Sequence, residues 1–379
     1  MNHNGQERRD SNVSGKRNKI VLQFAFLCIT LVLAMVFVGI VHTQSSEFQS
    51  SGNEIATTNV GAGTDNYLYL PTILWTVPTE MEPNDTPSQA NLIVPGLTYL
   101  GRFPNLSDIN DYFYFELTTY ALVQISLTSI EDGHDYTLVL RNNLGDFIAQ
   151  SVNPGNSNEL LDLPNSSLPK PLAPGIYYIQ VYNASATETD DYYNLLLTIT
   201  EILMIAGFDG CGPPNDLGGD MGAACPGAGC PPPDQLFESY PLEPPRECIL
   251  CAEYHIQNWS AFWMKLNHLD MTPYNYLVFD IRGTGDIVGK QLKIEIKRDC
   301  HVGPEGTVCY ELEIKYIGGI TSNWQHKRIN LSDFQFPGWP SPFKPIQNWT
   351  DLEELVFTVE ATPSGRNGII YLDNIWLEK

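Results

Sequence analysis

Short runs in which apolar and polar residues alternate recur from about residue 78 to the end of the chain. The run LVQISLTS, which starts at Leu122, would direct three aliphatic side chains to one face of a strand, and QLKIEIK, which starts at Gln291, repeats the pattern. Neighbouring side chains of a strand point to opposite faces, so a period of two residues indicates half-buried strands. No part of this region has the 3.6-residue period of an amphipathic helix, and the sequence therefore predicts an all-β fold.

The alternating runs form two sets. DYFYFEL, YTLVLRN, GIYYIQVYN and DYYNLLLTIT belong to the first, and YLVFDIRG, QLKIEIKRD, CYELEIKYI, ELVFTVEA and GIIYLDNIWLEK belong to the second. Gly, Asn, Asp and Pro separate the runs at short intervals, which is typical of antiparallel sandwiches and barrels. We predict two β-sandwich domains, residues 78–201 and 202–379. The second is long enough for a two-sheet jelly roll with its own hydrophobic core.

An uncharged apolar segment, residues 20–41, precedes these domains. As a helix it would span about 33 Å, which is enough to cross the core of a bilayer. Residues 1–19 carry five basic and two acidic side chains, a bias that favours a cytoplasmic N-terminus. We predict a cytoplasmic basic tail at 1–19, a transmembrane signal anchor at 20–41 and a flexible extracellular linker at 42–77, because the linker is rich in Ser, Thr, Asn and Gly.

The anchor predicts a single-pass protein of the cell membrane whose C-terminal domains are extracellular. The alternative is secretion after cleavage of a signal peptide. The chain has a formal net charge of −23 at pH 7. Nucleic acids require a basic surface, so this charge argues against a nucleic-acid partner. The many carboxylates suit Ca²⁺, which takes oxygen ligands, although the solubility of a surface protein also explains them.

Seven cysteines follow the apolar segment, all of them in the second domain. Cys300 and Cys309 bracket HVGPEGTV between two strands, which predicts a disulfide across a hairpin. One of the other five must remain unpaired, and the sequence leaves their connectivity open. Their spacing loosely imitates a zinc ribbon, but disulfides are favoured in an exported protein. The leftover thiol could engage a protein partner. The five are Cys211, Cys225, Cys230, Cys248 and Cys251.

The first domain contains EPNDTPSQA, SDINDYFYFEL, DYTLVLRNNLGDFIAQS and PGIYYIQVYN, in that order. This succession resembles the bacterial pre-peptidase C-terminal domain. The resemblance implies an accessory β-sandwich that accompanies secreted hydrolases, is not itself catalytic and in some members binds calcium. It also implies a set of calcium ligands, although residues of these types are equally typical of turns and strand edges. The implied ligands are Glu82, Asn84, Asp85, Asp108 and Asp111.

The second domain contains MIAGFDG, NDLGGDMG, YNYLVFDIRGTGD, WQHKRINLSDF and IIYLDNIWLEK. These segments resemble the galactose-binding-like jelly rolls of carbohydrate-binding modules, especially the family-11-like group. The cysteine-rich insertion between Cys211 and Cys251 departs from that pattern. The resemblance implies a structural calcium ion, with Asp209 and Asp373 as its side-chain ligands on the first and last strands.

Sugars stack their C–H faces on aromatic rings and bind planar polar groups through their hydroxyls. In AEYHIQNWSAFWMKL, aromatic and polar residues lie close together along the chain, and Arg282 follows in the next strand. Trp339 occupies FPGWPSPF, a rigid loop that could present its ring. We predict a ligand-binding set composed of Tyr254, His255, Trp259, Trp263 and Arg282.

No catalytic residue is predicted, because the chain carries none of the usual hydrolase, metalloprotease, P-loop or dinucleotide motifs. We expect a non-catalytic cell-surface protein that binds extracellular polysaccharide or glycan through its second domain, with calcium as a structural ion. The alternative is a structural or protein-interaction module of the envelope that docks a secreted hydrolase or another partner. An uncharacterised hydrolase is a third hypothesis, since a fold does not fix a function.

Overall fold

The structure of the protein is a computed structural model that describes residues 77–165, 168–227, 229–303 and 306–379. The predicted tail and anchor, and the linker up to residue 76, lie outside these ranges. Within them, no helix has the length and apolar character needed to cross a bilayer. The regular structure is almost entirely β, as the alternation predicted, with two short 3-10 turns at Pro87–Gln89 and Leu331–Asp333.

The N-terminal domain is a sandwich of two sheets. Sheet I has the strand order β1-β3-β8-β5-β6, and sheet II has the order β2-β9-β4-β7. All neighbours are antiparallel except β1 and β3. The strands are β1 (Asn91–Leu92), β2 (Thr98–Gly101), β3 (Asn110–Leu117), β4 (Ala121–Thr128), β5 (Tyr136–Asn142), β6 (Phe147–Ser151), β7 (Glu159–Leu163), β8 (Gly175–Asn183) and β9 (Tyr193–Ala206).

Alternate residues of these strands fill the space between sheets I and II. Phe113 and Phe115 of β3 face Ile125 and Leu127 of β4 across one buried cluster. Intervening residues of the same strands face outward and are half-buried or exposed. The period of two therefore determines which side chains reach the core, as expected for sheets with one solvated face.

The C-terminal domain is a second, larger sandwich. Sheet III has the order β10-β13-β18-β15-β16, and sheet IV has the order β11-β12-β19-β14-β17. The strands are β10 (Met221–Ala224), β11 (Gln235–Ser239), β12 (Leu250–Ile256), β13 (Trp259–Leu269), β14 (Tyr276–Gly285), β15 (Leu292–Gly303), β16 (Gly306–Ile317), β17 (Gln325–Asn330), β18 (Leu352–Glu360) and β19 (Arg366–Glu378).

One strand belongs to both domains. Glu201 is the last residue of β9 to pair with β4, and Ile202 is the first to pair with β19. The predicted boundary between residues 201 and 202 therefore falls inside an unbroken strand. A small apolar cluster made of Ile202, Met204 and Trp376, with Tyr120 from the first domain, covers the junction.

Polar contacts reinforce this junction. The Lys170 ammonium of the first domain pairs with Asp209 at 3.2 Å and with Glu247 at 2.5 Å. The side-chain amide of Asn374 donates to the Pro169 carbonyl at 2.8 Å. Because β9 leaves no linker between the sandwiches, a fragment that begins at residue 203 would lose part of this strand.

The cysteines form three disulfides within the second domain. The predicted Cys300–Cys309 bond closes the β15–β16 hairpin, where the two residues are direct cross-strand partners. The connectivity left open by the sequence is Cys211–Cys248 and Cys225–Cys230. Cys251 is free and half-buried, so the expected leftover thiol is present.

Candidate functional site

A groove of about 810 Å³ lies on the outward face of sheet III. Its floor consists of the side chains that point away from the core on three neighbouring strands, β13, β18 and β15. These strands send every second residue into the core, so the residues in between form one continuous outward surface. The floor residues are Trp259, Ala261, Trp263, Lys265, Glu354, Val356, Thr358, Glu360, Lys293, Glu295 and Lys297.

A tight corner positions the first tryptophan of the groove. Strand β12 ends at Ile256 and β13 begins at Trp259, yet the two strands belong to different sheets. The buried Asp234 carboxylate accepts hydrogen bonds from the Gln257 and Asn258 backbone amides at 2.7 and 2.6 Å, which fixes this corner. Trp259 follows at once and remains 39% exposed at one end of the groove.

Two further aromatic side chains stand at the groove. The Trp263 indole covers Gly222 of β10 and donates to the Ala223 carbonyl at 3.2 Å, so its ring is held in place. Trp339 lies in the loop before β18 and is 38% exposed. Backbone hydrogen bonds of Gln335 and Lys344 to the edge of β16 pin this loop on both sides of Trp339.

Ion pairs neutralise the floor of the groove. Lys293 lies 2.7 Å from Glu360 and 3.1 Å from Glu295, and Lys297 lies 3.1 Å from the other Glu295 oxygen. Lys265 pairs with Glu354 at 2.5 Å. Three lysines thus meet three glutamates, which gives the floor no net charge although the whole chain is strongly acidic.

The centre of this network predicts a pH dependence. Burial alone would raise the pKa of Glu295, but the Lys297 and Lys293 ammonium groups and the Thr358 hydroxyl outweigh burial, so its pKa is lowered. A lowered pKa contributes stability that is present above the unfolded-state pKa of about 4.3 and is lost as the pH falls through the folded-state value. We expect Glu295→Gln to lower the free energy of unfolding by about 1–3 kcal/mol at pH 7.

The difference in stability between Glu295→Gln and the unmodified chain should narrow below the usual glutamate pKa, because the Glu295 carboxyl group then becomes protonated and carries no charge, like the amide that replaces it. Urea denaturation from pH 7 to pH 3 measures it. Glu253→Gln, on the outward face of sheet IV and half-exposed, is the matched control and should change stability little. A difference that stays constant over this pH range would contradict the assignment.

The structure separates the five predicted ligand residues. Trp259 and Trp263 lie in the groove. Tyr254 is 0% exposed and packs in the core, where its hydroxyl donates to Asp286 at 2.6 Å, so its ring cannot stack on a sugar in this structure. His255 and Arg282 lie on the outward face of sheet IV, which is the opposite side of the sandwich.

Arg282 is engaged elsewhere. Its guanidinium donates to Glu243 at 2.6 Å and lies 3.9 Å above the Tyr371 ring. The site predicted from the sequence did not include the polar residues of the groove, although the alternation in the run QLKIEIK indicated which of its residues face outward. Lys293, Glu295 and Lys297 are its outward residues, and only the pairing of β15 with β18 shows that they adjoin tryptophans.

A cluster of acidic side chains lies at one edge of the N-terminal sandwich. The carboxylates fall into two overlapping groups: Glu80, Glu82 and Asp111, and Glu82, Asp85 and Asp108. Asp108 is only 6% exposed, and neither of its oxygens has a hydrogen-bond partner. The resemblance had implied all of these residues except Glu80, which alternates with Glu82 along the chain.

Burial of this cluster changes its protonation. Desolvation, together with a smaller contribution from the neighbouring carboxylates, raises the pKa of Glu80 and of Asp108 to about 7. The pKa of Asp111 is raised for the same reason, although the Tyr193 hydroxyl donates to it. A cluster of close carboxylates that includes the two unpartnered buried oxygens of Asp108 fits a hard divalent cation, so the residues present suit calcium.

At the second implied calcium site, both aspartates have basic side chains as partners. Asp373 is buried, and its carboxylate accepts from the Arg246 guanidinium at 2.6 Å, while Asp209 pairs with Lys170. Among the described residues, neither aspartate belongs to a group of three potential metal ligands. The Arg246 guanidinium thus supplies positive charge at Asp373, where the resemblance had implied a calcium ion.

Comparison with known proteins gives one match to a family. The family model of carbohydrate binding domain 30 matches residues 243–379, which include most of both sheets of the second sandwich. This match confirms the resemblance of that domain to carbohydrate-binding modules and supports glycan binding. A comparison with curated proteins finds no match.

Several solved structures are similar to the chain. The family 11 module of the cellulosomal cellulase Lic26A-Cel5E of Clostridium thermocellum is 16% identical, with 47% of this chain and 95% of that chain covered and a TM-score of 0.34. The family 30 module of cellulase Cel9D-Cel44B of the same organism is 19% identical, with 47% and 97% covered and a TM-score of 0.32. The pre-peptidase C-terminal domain of a Bacillus anthracis collagenase is 25% identical, with 30% and 100% covered and a TM-score of 0.25.

Proposed function

We propose that this protein binds extracellular polysaccharide without catalysis, through the groove on sheet III. The observation that carries the proposal is the combination of half-exposed tryptophans with a hydrogen-bonding, charge-neutral floor, within the domain that matches a carbohydrate-binding family. Trp259 and Trp339 offer ring faces for the C–H surfaces of sugars. The paired lysines and glutamates offer donors and acceptors for hydroxyl groups without a net field that would select a charged ligand.

The remaining parts of the chain serve this function in the proposal. The apolar segment 20–41 anchors the protein in the cell membrane, and residues 42–77 act as an extracellular tether. Glu80, Glu82, Asp85, Asp108 and Asp111 hold a structural calcium ion, which neutralises their mutual repulsion. The N-terminal sandwich supports the second domain through the shared strand β9.

The binding test uses the full chain with calcium present, titrated with soluble oligosaccharides and mixed with insoluble polysaccharides. Mixed-linked β-1,3-1,4-glucan is one probe among neutral, uronate-containing and sulfated polymers. We expect saturable binding to a neutral class. The double change Trp259→Ala and Trp339→Ala should weaken this binding by about 100-fold, since each lost stacking partner removes on the order of 1–1.5 kcal/mol.

Trp324→Phe is the matched control, because Trp324 directly precedes β17 of sheet IV and packs against Arg246 and Arg282. It should leave binding unchanged. Unaltered affinity of the groove variant would refute the groove as the site. No binding to any polysaccharide by a demonstrably folded chain would favour the protein-interaction alternative, in which the half-buried Cys251 on sheet IV is the first residue to test.

A further inference from the structure

The outward face of sheet I carries four tyrosines on two adjacent strands. Tyr112 and Tyr114 belong to β3, and Tyr178 and Tyr182 belong to β8. Tyr114 and Tyr178 are direct cross-strand partners, with ring centroids 6.5 Å apart. We call these four residues the tyrosine face. Residues two apart on a strand are separated by about 7 Å and neighbouring strands by about 4.8 Å, so the rings cover a broad, shallow surface.

The tyrosine face has unused hydrogen-bonding capacity. None of the four hydroxyls has a hydrogen-bond partner among the residues that the structure describes. Between the rings, the Gln180 amide donates to Asn110 at 2.7 Å and accepts from Arg141 at 3.1 Å, which holds this amide in place. Aromatic rings with free hydroxyls beside a fixed amide are chemically suited to a polymer that presents both C–H faces and hydroxyls.

The charge of this face narrows the class of partner. The outward positions of β3, β8 and β5 include one acidic residue, Glu116, and one basic residue, Arg141, on a chain with a net charge of −23. A polycation would be attracted to the acidic remainder of the molecule rather than to this nearly uncharged face. A polyanion would need a basic face, which these strands do not provide. A neutral, hydroxyl-rich polymer therefore fits this surface better than a charged one.

We propose that the tyrosine face is a second polysaccharide-binding surface, which contacts the exposed chains of an insoluble neutral polymer. The inference rests on the proposed function, because the groove supplies the first contact with the same polymer. Strand β9 joins the two sandwiches without a linker. A second contact raises the apparent affinity for an insoluble polymer without changing the affinity of the groove for a soluble oligosaccharide.

The test compares two readouts on the full chain. One is depletion of the protein from solution by an insoluble neutral polysaccharide. The other is calorimetric titration of the protein with a soluble oligosaccharide of the same sugar. Tyr114→Ser combined with Tyr178→Ser should weaken depletion by about tenfold and leave the titration unchanged. Tyr112→Ser combined with Tyr182→Ser is a second variant, and circular dichroism establishes that each is folded. Tyr192→Ser, an exposed tyrosine outside sheet I, is the control.

The outcomes separate the two proposals. Loss of depletion with an intact titration supports the tyrosine face. A second outcome is that the groove variant loses the calorimetric binding signal, while the two tyrosine variants are depleted as strongly as the unmodified chain. This outcome supports the groove and overturns the tyrosine face. Depletion of the unmodified chain without any measurable titration, combined with loss of depletion in the tyrosine variants, supports the tyrosine face and refutes the groove. A change from dimer to monomer on sedimentation, with depletion intact, would identify the face as a contact between copies and overturn the inference.

Discussion

Replacement of Arg246 by methionine is expected to lower the free energy of unfolding by about 3–5 kcal/mol, the largest effect of a single substitution that we predict. The Arg246 guanidinium lies between two buried carboxylates, 2.8 Å from Asp280 and 2.6 Å from Asp373. It also lies 4.2 Å above the Trp324 ring. Without it, two buried carboxyl groups would face each other with no guanidinium between them. Equilibrium urea denaturation of both proteins measures the difference.

Arg328→Met is the matched control for this experiment. Arg328 makes a bidentate pair with Glu378, but its side chain is 43% exposed, so its removal should cost less than about 1 kcal/mol. Equal losses in the two variants would contradict the importance of burial at Arg246.

The Arg246 variant should also show a distinctive pH dependence. Burial raises the pKa of Asp373 to about 7 even though the Arg246 guanidinium favours its charged form. Removal of the arginine raises this pKa further. A carboxyl group whose folded-state pKa is raised contributes stability at low pH that is lost as the pH rises through that value. We therefore expect the free energy of unfolding of the variant to be close to that of the unmodified chain at pH 5 and to lie furthest below it at pH 8.

Addition of calcium is expected to stabilise the N-terminal sandwich substantially. A ligand that binds only the folded state adds about 2.7 kcal/mol when its free concentration is 100 times its dissociation constant. The acidic cluster offers carboxylates that burial holds close together, including the unpartnered Asp108. Thermal unfolding with 5 mM CaCl₂ should therefore occur several degrees higher than with a chelator, by roughly 2–4 °C per kcal/mol for a chain of this size.

Two variants and a pH series test the location of the ion. Asp108→Asn should abolish the calcium-dependent shift, whereas Asp190→Asn, at a side chain that is 95% exposed, should retain it. When a chelator removes calcium, the raised pKa values of Glu80 and Asp108 mean that the free energy of unfolding decreases as the pH rises through about 7. Calcium should remove that loss. Identical melting curves with calcium and chelator at pH 8 would exclude a calcium site in this cluster.

The alternation of apolar and polar residues along the chain was sufficient to predict much of the fold. Outward and inward residues of runs such as QLKIEIK follow from the backbone geometry of a strand, which depends only on adjacent residues. The Cys300–Cys309 disulfide was predictable for a related reason, since a hairpin brings its own ends together. The partners of Cys211 and Cys225 depend on distant segments, and spacing along the chain could not choose between them.

The ligand-binding set shows where such reasoning ends. Tyr254, His255 and Trp259 are neighbours in the sequence, yet they occupy the core, one outward face and the opposite outward face. A two-residue corner moves the chain from sheet IV to sheet III, and no local pattern states which sheet a strand will join.

By itself, the sequence determined that residues 78–379 form an all-β fold, that the second domain resembles carbohydrate-binding modules, and that one of the seven cysteines after the apolar segment remains unpaired. The tertiary structure decided which residues share a surface. It brought Trp339 from a loop to the groove, and it set the Arg246 guanidinium beside Asp373. Such contacts join residues far apart in the chain, and their free energy depends on burial and on neighbouring charges, neither of which a single sequence specifies.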